Sequence, residues 1–328
     1  MQAFEYASPR SLQEAIRLLP AQWGPTDVLA GGTDLVSAMK DGISTPQRLV
    51  NIKQIAELHR MTFSPRAGLH IGATVTLREL LDDGAVQQHY PGLIQAAEAA
   101  RSEQLLNMGT VGGELLQRPR CWYYRNGYGL LALRDGKSLV PEGENQYHAI
   151  LGNAGPAYFV SPSFLAPILI ALGATVQLHG PRGARSLPVQ KLFVTPTRVG
   201  QREHDLAPNE ILTEIRVPYR PGVRTAVYEI REKEALDWPL AMAAVALRQE
   251  GGVLRDPRVV LGQVAPVPWP SPEAERTLTG KKPSEDLADA AGRAAVAQAT
   301  PLSKNGYKVQ LARIAVKRAI LSAVQQGG

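Results

Sequence analysis

Apolar residues near the start of the chain recur first at helical spacing and then at strand spacing. Residues Ser11 to Leu19 have apolar side chains on one side of a helix, and Ser11 and Glu14 have the spacing of a capping box. Pro20 and Gly24 end this helix. The pattern then predicts a strand over Asp27 to Ala30, a helix over Asp34 to Lys40 and a strand over Arg48 to Ile52. These segments make a compact β-loop-α-β unit.

The pattern restarts at His70 and continues to a polar segment. Thr76 and Glu79 form a second capping-box pair at the start of a helix. Residues 118–147 show neither the helical nor the strand periodicity over more than a few positions, which indicates an insertion. The other elements predicted here are a strand over His70 to Ala73, a helix over Gly92 to Arg101, a helix over Ser163 to Leu172, a strand over Ala174 to Leu178 and a strand over Ile211 to Val217.

Pro218, Pro221 and Gly222 interrupt the pattern and mark a domain boundary. Beyond them, three antiparallel strands are predicted over Thr225 to Glu232, Ala241 to Arg248 and Val253 to Val264. Three helices follow, near Glu273 to Leu278, Glu285 to Ala299 and Tyr307 to Val324. The predicted fold class is therefore α+β, with domains over residues 1–219 and 220–328.

The charge, the apolar content and the cysteine count of the chain exclude several classes of function. The chain has 328 residues, a net charge of +6 and a pI near 9.4, but its basic residues are scattered among 30 acids, so we expect no nucleic-acid binding. The longest apolar stretch, Phe164 to Val176, is too short to span a membrane. A single cysteine, Cys121, excludes an intrachain disulfide and any cluster held only by this chain's thiolates. With no secretory signal visible, we expect a cytoplasmic protein.

Two glycine-rich segments carry the candidate chemistry. They are residues 29–35, Leu-Ala-Gly-Gly-Thr-Asp-Leu, and residues 105–117, Leu-Leu-Asn-Met-Gly-Thr-Val-Gly-Gly-Glu-Leu-Leu-Gln. A Gly-Gly step lets backbone amides approach an anion, and the hydroxyl of Thr33 or Thr110 can donate another hydrogen bond. The chain has neither G-x-G-x-x-G nor G-x-x-x-x-G-K-[ST], which disfavours a Rossmann fingerprint and a P-loop. Two such segments suggest one bound pyrophosphate.

On these residues the chain resembles the FAD-binding medium subunits of molybdenum hydroxylases, the family of xanthine dehydrogenases, carbon monoxide dehydrogenases and aldehyde oxidoreductases. The resemblance runs from end to end. Residues 30–35 resemble the first pyrophosphate loop of the family, and residues 107–113 resemble the second. Further matches are Leu236-Asp237-Trp238-Pro239-Leu240, the segment from Leu261 to Trp269 and the helix from Tyr307 to Ile320.

The resemblance implies a fold, a cofactor and partners. The fold would be a two-lobed FAD-binding domain of the vanillyl-alcohol-oxidase (PCMH) type, with lobes near 1–57 and 58–219, followed by a C-terminal α+β domain. A large molybdopterin subunit and a small subunit with [2Fe-2S] clusters would be partners, and FAD would pass electrons to an external acceptor. No catalytic residue is expected in this chain. The cofactor-binding residues implied are Leu29, Ala30, Gly31, Gly32, Thr33, Asp34, Leu35, Asn107, Thr110, Gly112, Gly113, Glu114, Leu116 and Gln117.

Three positions depart from the family pattern. The family commonly has Asn at position 114, Asp at 164 and Lys at 229, where this chain has Glu114, Phe164 and Glu229. A carboxylate beside a pyrophosphate is unfavourable unless it is solvated, paired or turned away. One alternative is therefore a structural subunit that has lost FAD. Another is a free-standing flavoprotein oxidase, although no covalent attachment motif or substrate lid is evident.

The insertion resembles that of the branch in which cysteines hold an extra [4Fe-4S] cluster. Since Cys121 is alone, we expect no [4Fe-4S] cluster and no metal in this chain. His148 is expected to make a structural hydrogen bond, and the aromatic residues of the insertion to pack locally. Thr33 and Thr110 could instead be ordinary helix caps, and Asp34 could be an N-cap or first-turn acid.

Overall fold

The structure is a computed structural model that describes residues 1–233 and 237–326; Leu236 of the family-like motif lies outside these residues. Four sheets lie along the described chain, together with helices that cover their faces. None of the described helices is long and apolar enough to cross a membrane.

The first lobe is a small parallel sheet with two helices. Its strands are β1 (Glu5–Ala7), β2 (Thr26–Leu29) and β3 (Arg48–Asn51), in the order β1-β3-β2, and its helices are α1 (Leu12–Arg17) and α2 (Leu35–Lys40). The predicted β-loop-α-β unit is present, and β1 adds a strand that the pattern did not predict. Ser11 Oγ accepts the Glu14 amide at 3.2 Å, but the Glu14 carboxylate accepts from Arg10 rather than closing the box on Ser11.

The second lobe is an antiparallel sheet in the order β4-β5-β10-β8-β9, covered by helices. Leu69, Ile71 and Leu165 are fully buried in its core. Strand β9 is largely exposed, which explains why apolar periodicity missed it. The elements are β4 (Met61–Ser64), β5 (Gly68–Gly72), α3 (Leu77–Asp82), α4 (Gly84–His89), α5 (Pro91–Ala97), α6 (Glu103–Met108), α7 (Val111–Leu115), β6 (Leu133–Arg134), β7 (Lys137–Ser138), α8 (Leu165–Ala171), β8 (Thr175–Gly180), β9 (Gly183–Pro188), α9 (Val189–Leu192) and β10 (Ile211–Val217).

Two predictions for this lobe need correction. The helix expected over Gly92 to Arg101 ends at Ala97, and a separate helix, α6, leads into the second glycine segment. That segment is not a loop, because Gly112 and Gly113 lie inside α7. The predicted capping box of Thr76 and Glu79 is complete.

The C-terminal sheet has the order β11-β12-β13-β14 and is covered on one face by three helices. Its three long strands agree with the prediction, and a two-residue strand is added at one edge. Alternate residues of β12 face two cores: Met242 and Ala244 pack against the second lobe, while Ala243 and Val245 pack under the C-terminal helices. The elements are β11 (Arg224–Ile230), β12 (Ala241–Glu250), β13 (Val253–Gly262), β14 (Trp269–Pro270), α10 (Pro272–Leu278), α11 (Glu285–Ala295) and α12 (Tyr307–Gln325). The α+β fold class is confirmed.

Candidate functional site

The two glycine-rich segments touch each other. A Cβ atom on Gly31 would lie 1.8 Å from the carbonyl oxygen of Met108, so only glycine allows this approach. Gly32 has φ of +77°, a conformation that favours glycine. The contact brings β2 and its following turn against the end of α6. Sequence spacing alone could not place these segments together, since they lie far apart in the chain.

Beside this contact is a cleft of about 220 Å³ between the two lobes. Most of the sequence-predicted residues line it, namely Ala30, Gly31, Gly32, Thr33, Asp34, Leu35, Thr110, Gly112, Gly113, Leu116 and Gln117. Leu29, Asn107 and Glu114 do not line it. Asn107 instead donates to the Glu103 carbonyl within α6 at 2.8 Å.

The backbone amides of the two segments differ in what they can bind. The amides of residues 31–35 donate to no acceptor among the residues that the structure describes. Three amides of the second segment are occupied: Val111 donates to Val75, Gly112 to Ala73 and Gly113 to the Thr110 hydroxyl, at 2.9, 3.0 and 3.1 Å. The first segment therefore offers the free donors, and the second forms the opposite wall.

Thr110 is a helix cap, as the alternative interpretation allowed. Its hydroxyl oxygen accepts the Gly113 amide at the start of α7. The side chain also lines the cleft, so its hydroxyl hydrogen can still be donated there. Thr33 is exposed and lies at the same cleft.

Asp34 ties the first glycine segment to the insertion. Its side chain makes no helix cap, although it precedes α2. The carboxylate instead accepts from the Arg118 amide at 2.7 Å and pairs with Arg120 and Arg125 at 2.9 and 2.8 Å. These contacts neutralise the acid beside the cleft, because two guanidinium groups share one largely buried carboxylate.

Further cleft residues were missed by sequence reasoning. Arg118 pairs with the buried Glu203, and its guanidinium lies 5.1 Å from the Tyr124 ring centre. Arg202 lies over the Trp23 ring at 4.3 Å. All of them line the cleft. The position of Arg118, next to the second glycine segment, was an available signal, whereas nothing in the sequence pointed to residue 203.

Comparison with known proteins identifies the family. Residues 2–220 match the FAD binding domain in molybdopterin dehydrogenase, and residues 226–323 match the CO dehydrogenase flavoprotein C-terminal domain. The chain belongs to this flavoprotein family. Members of the family are oxidoreductase flavoprotein subunits, and their shared domain binds FAD.

Similar proteins cover nearly the whole chain. The aldehyde oxidoreductase FAD-binding subunit of Escherichia coli is 30% identical over 95% of this chain and 96% of its own. The carbon monoxide dehydrogenase medium chain of Hydrogenophaga pseudoflava is 29% identical over 98% of this chain and 96% of its own. A solved carbon monoxide dehydrogenase from the latter organism superposes with a TM-score of 0.77 at 28% identity, covering 99% of this chain and 98% of that chain.

Glu114, the first departure from the family pattern, is turned away from the cleft and buried. Its carboxylate accepts from Ser163 Oγ at 2.8 Å, the Phe164 amide at 2.7 Å and Gln117 Nε2 at 3.0 Å. It thus caps the start of α8 from another element. Burial raises the pKa of Glu114 to about 7, against the opposing effect of its hydrogen-bond donors.

The second departure is coupled to the first. Phe164 stands immediately before α8 and supplies no side-chain cap. An Asp there, as the family commonly has, would be at the position for capping α8 itself. In this chain Ser163 Oγ accepts the Ala166 amide at 3.0 Å and the Glu114 carboxylate accepts the Phe164 amide, so the start of α8 is capped without an acid at position 164.

Glu229, the third departure, is also neutralised. It lies on β11, where it pairs with Arg101 at 2.9 Å and Arg231 at 2.8 Å. It does not line the cleft. The two added carboxylates are therefore both engaged away from the cleft, and neither opposes an anion bound beside residues 31–35.

Within the insertion, Cys121 and His148 contact each other. Cys121 Sγ lies 3.2 Å from His148 Nε2. Burial raises the pKa of the thiol, and burial together with the nearby Lys308 lowers the pKa of His148 to about 4, so both groups are neutral. Within the described residues no three His, Cys, Asp or Glu side chains are grouped as a metal site.

Proposed function

We propose that this chain is the electron-transfer subunit of a heteromeric molybdenum hydroxylase. It would receive electrons from the [2Fe-2S] clusters of a small partner subunit, while a large molybdopterin subunit oxidises the substrate. Bound FAD supplies the redox chemistry by taking up two electrons and releasing them to an external acceptor. We also propose the domain division at 219/220, which the two family matches support, and a cytoplasmic location, which the single cysteine supports.

The observation that carries this proposal is the row of amides at residues 31–35 beside the cleft, which donate to no acceptor in the described part of the chain. Such a row suits the pyrophosphate of FAD, because backbone N–H groups bind anionic oxygens without a side chain between them. Thr110 and Gln117 line the same cleft and can donate further hydrogen bonds. Arg202 adds positive charge there, whereas the charge of Arg118 is balanced by Glu203.

The first experiment measures FAD released by acid from the purified chain and from two variants. Gly31→Ala would force the Met108 carbonyl away and misplace the free amides, so we expect it to lose at least 90% of the FAD, which for a nearly filled site means about a hundredfold weaker binding or more. Gly84→Ala is the matched control, since a Cβ there meets nothing within 4 Å. Loss of FAD in both variants, or in neither, would contradict the assigned role of residues 31–35.

The partner assignment needs a separate measurement. The chain is co-expressed with its candidate molybdopterin and iron–sulfur subunits and purified through a tag on this chain. We expect molybdenum and iron to copurify with FAD in fixed ratios. A flavoprotein that never retains metal under these conditions would contradict the heteromeric assignment while leaving FAD binding intact.

A further inference from the structure

An arginine–tryptophan pair joins the two lobes where the cleft between them opens. Trp23 lies between α1 and β2 of the first lobe, and Arg202 lies between α9 and β10 of the second. The Arg202 guanidinium stands 4.3 Å from the centre of the Trp23 ring. Both residues line the cleft, and both also line an adjoining, more open basin of about 560 Å³. The pair therefore stands where a molecule from that basin would enter the cleft.

The segment that carries Trp23 is fixed only at its ends. At one end Leu19 is buried in the core of the first lobe. At the other end the Pro25 carbonyl accepts the amides of residues 47 and 48 at 2.9 and 3.1 Å. Between these ends, residues 21–24 make no backbone hydrogen bond to any residue that the structure describes, and all four are exposed. A segment with so few contacts opens at little cost in free energy.

Arg202, by contrast, stands on a fixed base. The next residue, Glu203, is buried, and its carbonyl accepts the Val194 amide at 2.9 Å. The Glu203 carboxylate also pairs with Arg118, which holds the base to the inner wall of the cleft. The segment of Trp23 is therefore the part that can move, and Arg202 is the part on which it closes.

The strength of the stack determines how often the mouth of the cleft is open. Trp23 is 37% exposed, and at such a site a cation–π contact favours the closed arrangement by about two- to fivefold. The mouth would then be open for about a sixth to a third of the time, which slows passage without preventing it. A contact that opens this easily suits control of a rate better than control of an affinity.

We propose that Trp23 is a latch that controls the rate at which FAD enters and leaves the cleft. It closes on Arg202 whether or not the cleft is filled, so it slows binding and release by the same factor and leaves the dissociation constant unchanged. The identity of the passing molecule rests on the proposed function, whereas the latch rests on the contacts of Trp23 and Arg202. A direct contact of Trp23 with FAD would act differently, because it would slow release alone.

The test measures both rates on the full chain. Binding is followed by flavin fluorescence after rapid mixing, and release by exchange of bound radiolabelled FAD for unlabelled FAD. We expect Trp23→Leu to raise both rates about three- to sixfold, and Trp23→Phe, which keeps a ring over Arg202, to raise them less. Trp238→Leu is the matched control, since Trp238 is 39% exposed and lies 4.6 Å from the Arg120 guanidinium, but lines neither the cleft nor the basin.

A second arm needs no FAD. Ser44 lines the cleft, so the thiol of Ser44→Cys reports how fast a small molecule enters. The variant is made together with Cys121→Ser, which removes the native thiol, and is labelled with dithionitrobenzoate. We expect Trp23→Leu to speed the labelling about three- to sixfold and Trp238→Leu to leave it unchanged.

The outcomes separate the latch from its alternatives. Unchanged rates of labelling and of FAD exchange in Trp23→Leu would overturn the latch, and so would equal changes in the Trp238→Leu control. Faster release with unchanged binding would overturn it in favour of a direct contact with FAD. Faster labelling without faster FAD exchange would overturn FAD as the molecule that the latch controls. A chain that takes up no FAD would refute the proposed function alone, because labelling still reports the latch.

Discussion

The buried carboxyl of Glu114 should make the stability of this protein depend on pH near neutrality. Its pKa is raised from 4.5 to about 7 in the folded protein. Such a group binds protons more tightly in the folded than in the unfolded state, so its stabilising contribution is fullest below pH 4.5. The contribution is lost as pH rises to about 7, and the loss corresponds to about 3 kcal/mol.

Two substitutions separate titration from capping. Glu114→Gln keeps the shape but cannot ionise, and it loses one acceptor for the Ser163, Phe164 or Gln117 donors, at a cost of about 1 kcal/mol. We expect it to be less stable than the wild type at pH 5 and equal or more stable at pH 8.5. Glu114→Ala removes the acceptor of the Phe164 amide at the start of α8 and leaves the buried Ser163 and Gln117 donors without it. We expect it to lower the unfolding free energy by about 2–4 kcal/mol at every pH tested.

The assay is urea unfolding followed by circular dichroism from pH 5 to 9. The wild-type and Glu114→Gln curves of unfolding free energy against pH should cross. Glu98→Gln, at an exposed position after α5, is the control and should change stability by less than about 0.5 kcal/mol. Wild-type and Glu114→Gln curves that stay parallel over this range would refute the reasoning.

Two further substitutions test contacts that hold the site and the domains. Asp34→Asn removes the charge shared by Arg120 and Arg125, so we expect a loss of about 1–3 kcal/mol in urea unfolding. The exposed Asp82→Asn, beside Arg78 at 3.7 Å, should change it by less than about 1 kcal/mol, and equal effects would contradict a special role for Asp34. Gly92→Ala places a Cβ 2.8 Å from the Thr225 side chain between α5 and β11, and should cost about 1–3 kcal/mol, while Gly84→Ala costs little.

Much of the fold could be predicted because many strands and helices can be recognised from the apolar pattern of their own residues. Strand β10 and the long strands of the C-terminal sheet carry apolar side chains that identify them in any window of the sequence. Strand β1 has three residues, and strand β9 is mostly exposed and has a glycine at one end and a proline at the other, so neither gives such a signal. Helix α7 contains two glycines, which disfavour helices, but the Thr110 cap and packing against Ala73 hold it.

The candidate site could be predicted only in part, because the function of its side chains depends on distant partners. The glycines were identified from their own sequence. Asp34, by contrast, meets arginines more than 80 positions later, and Glu114 meets the Phe164 amide 50 positions later. Whether a carboxylate faces a cleft or caps a helix depends on these contacts. The sequence around Asp34 or Glu114 contains no motif that tells whether the carboxylate faces the cleft or binds other groups of the protein.

Glu114 and Lys308 should contribute opposite trends to the dependence of stability on pH, and the two trends meet near pH 7. Burial lowers the pKa of Lys308 from 10.5 to about 7, so the folded protein binds its proton less tightly than the unfolded chain does. Stability therefore rises with pH from about 7 to 10.5, the reverse of the trend from Glu114 below pH 7. The three carbonyls that hold Nζ reduce this rise, since they favour the ammonium. The stability of Lys308→Met relative to the wild type should therefore fall as pH rises above 7, and the stability of Glu114→Gln relative to the wild type should rise as pH increases toward 7. Differences in unfolding free energy from the wild type that do not change with pH in these ranges would place the titrating groups elsewhere in the protein.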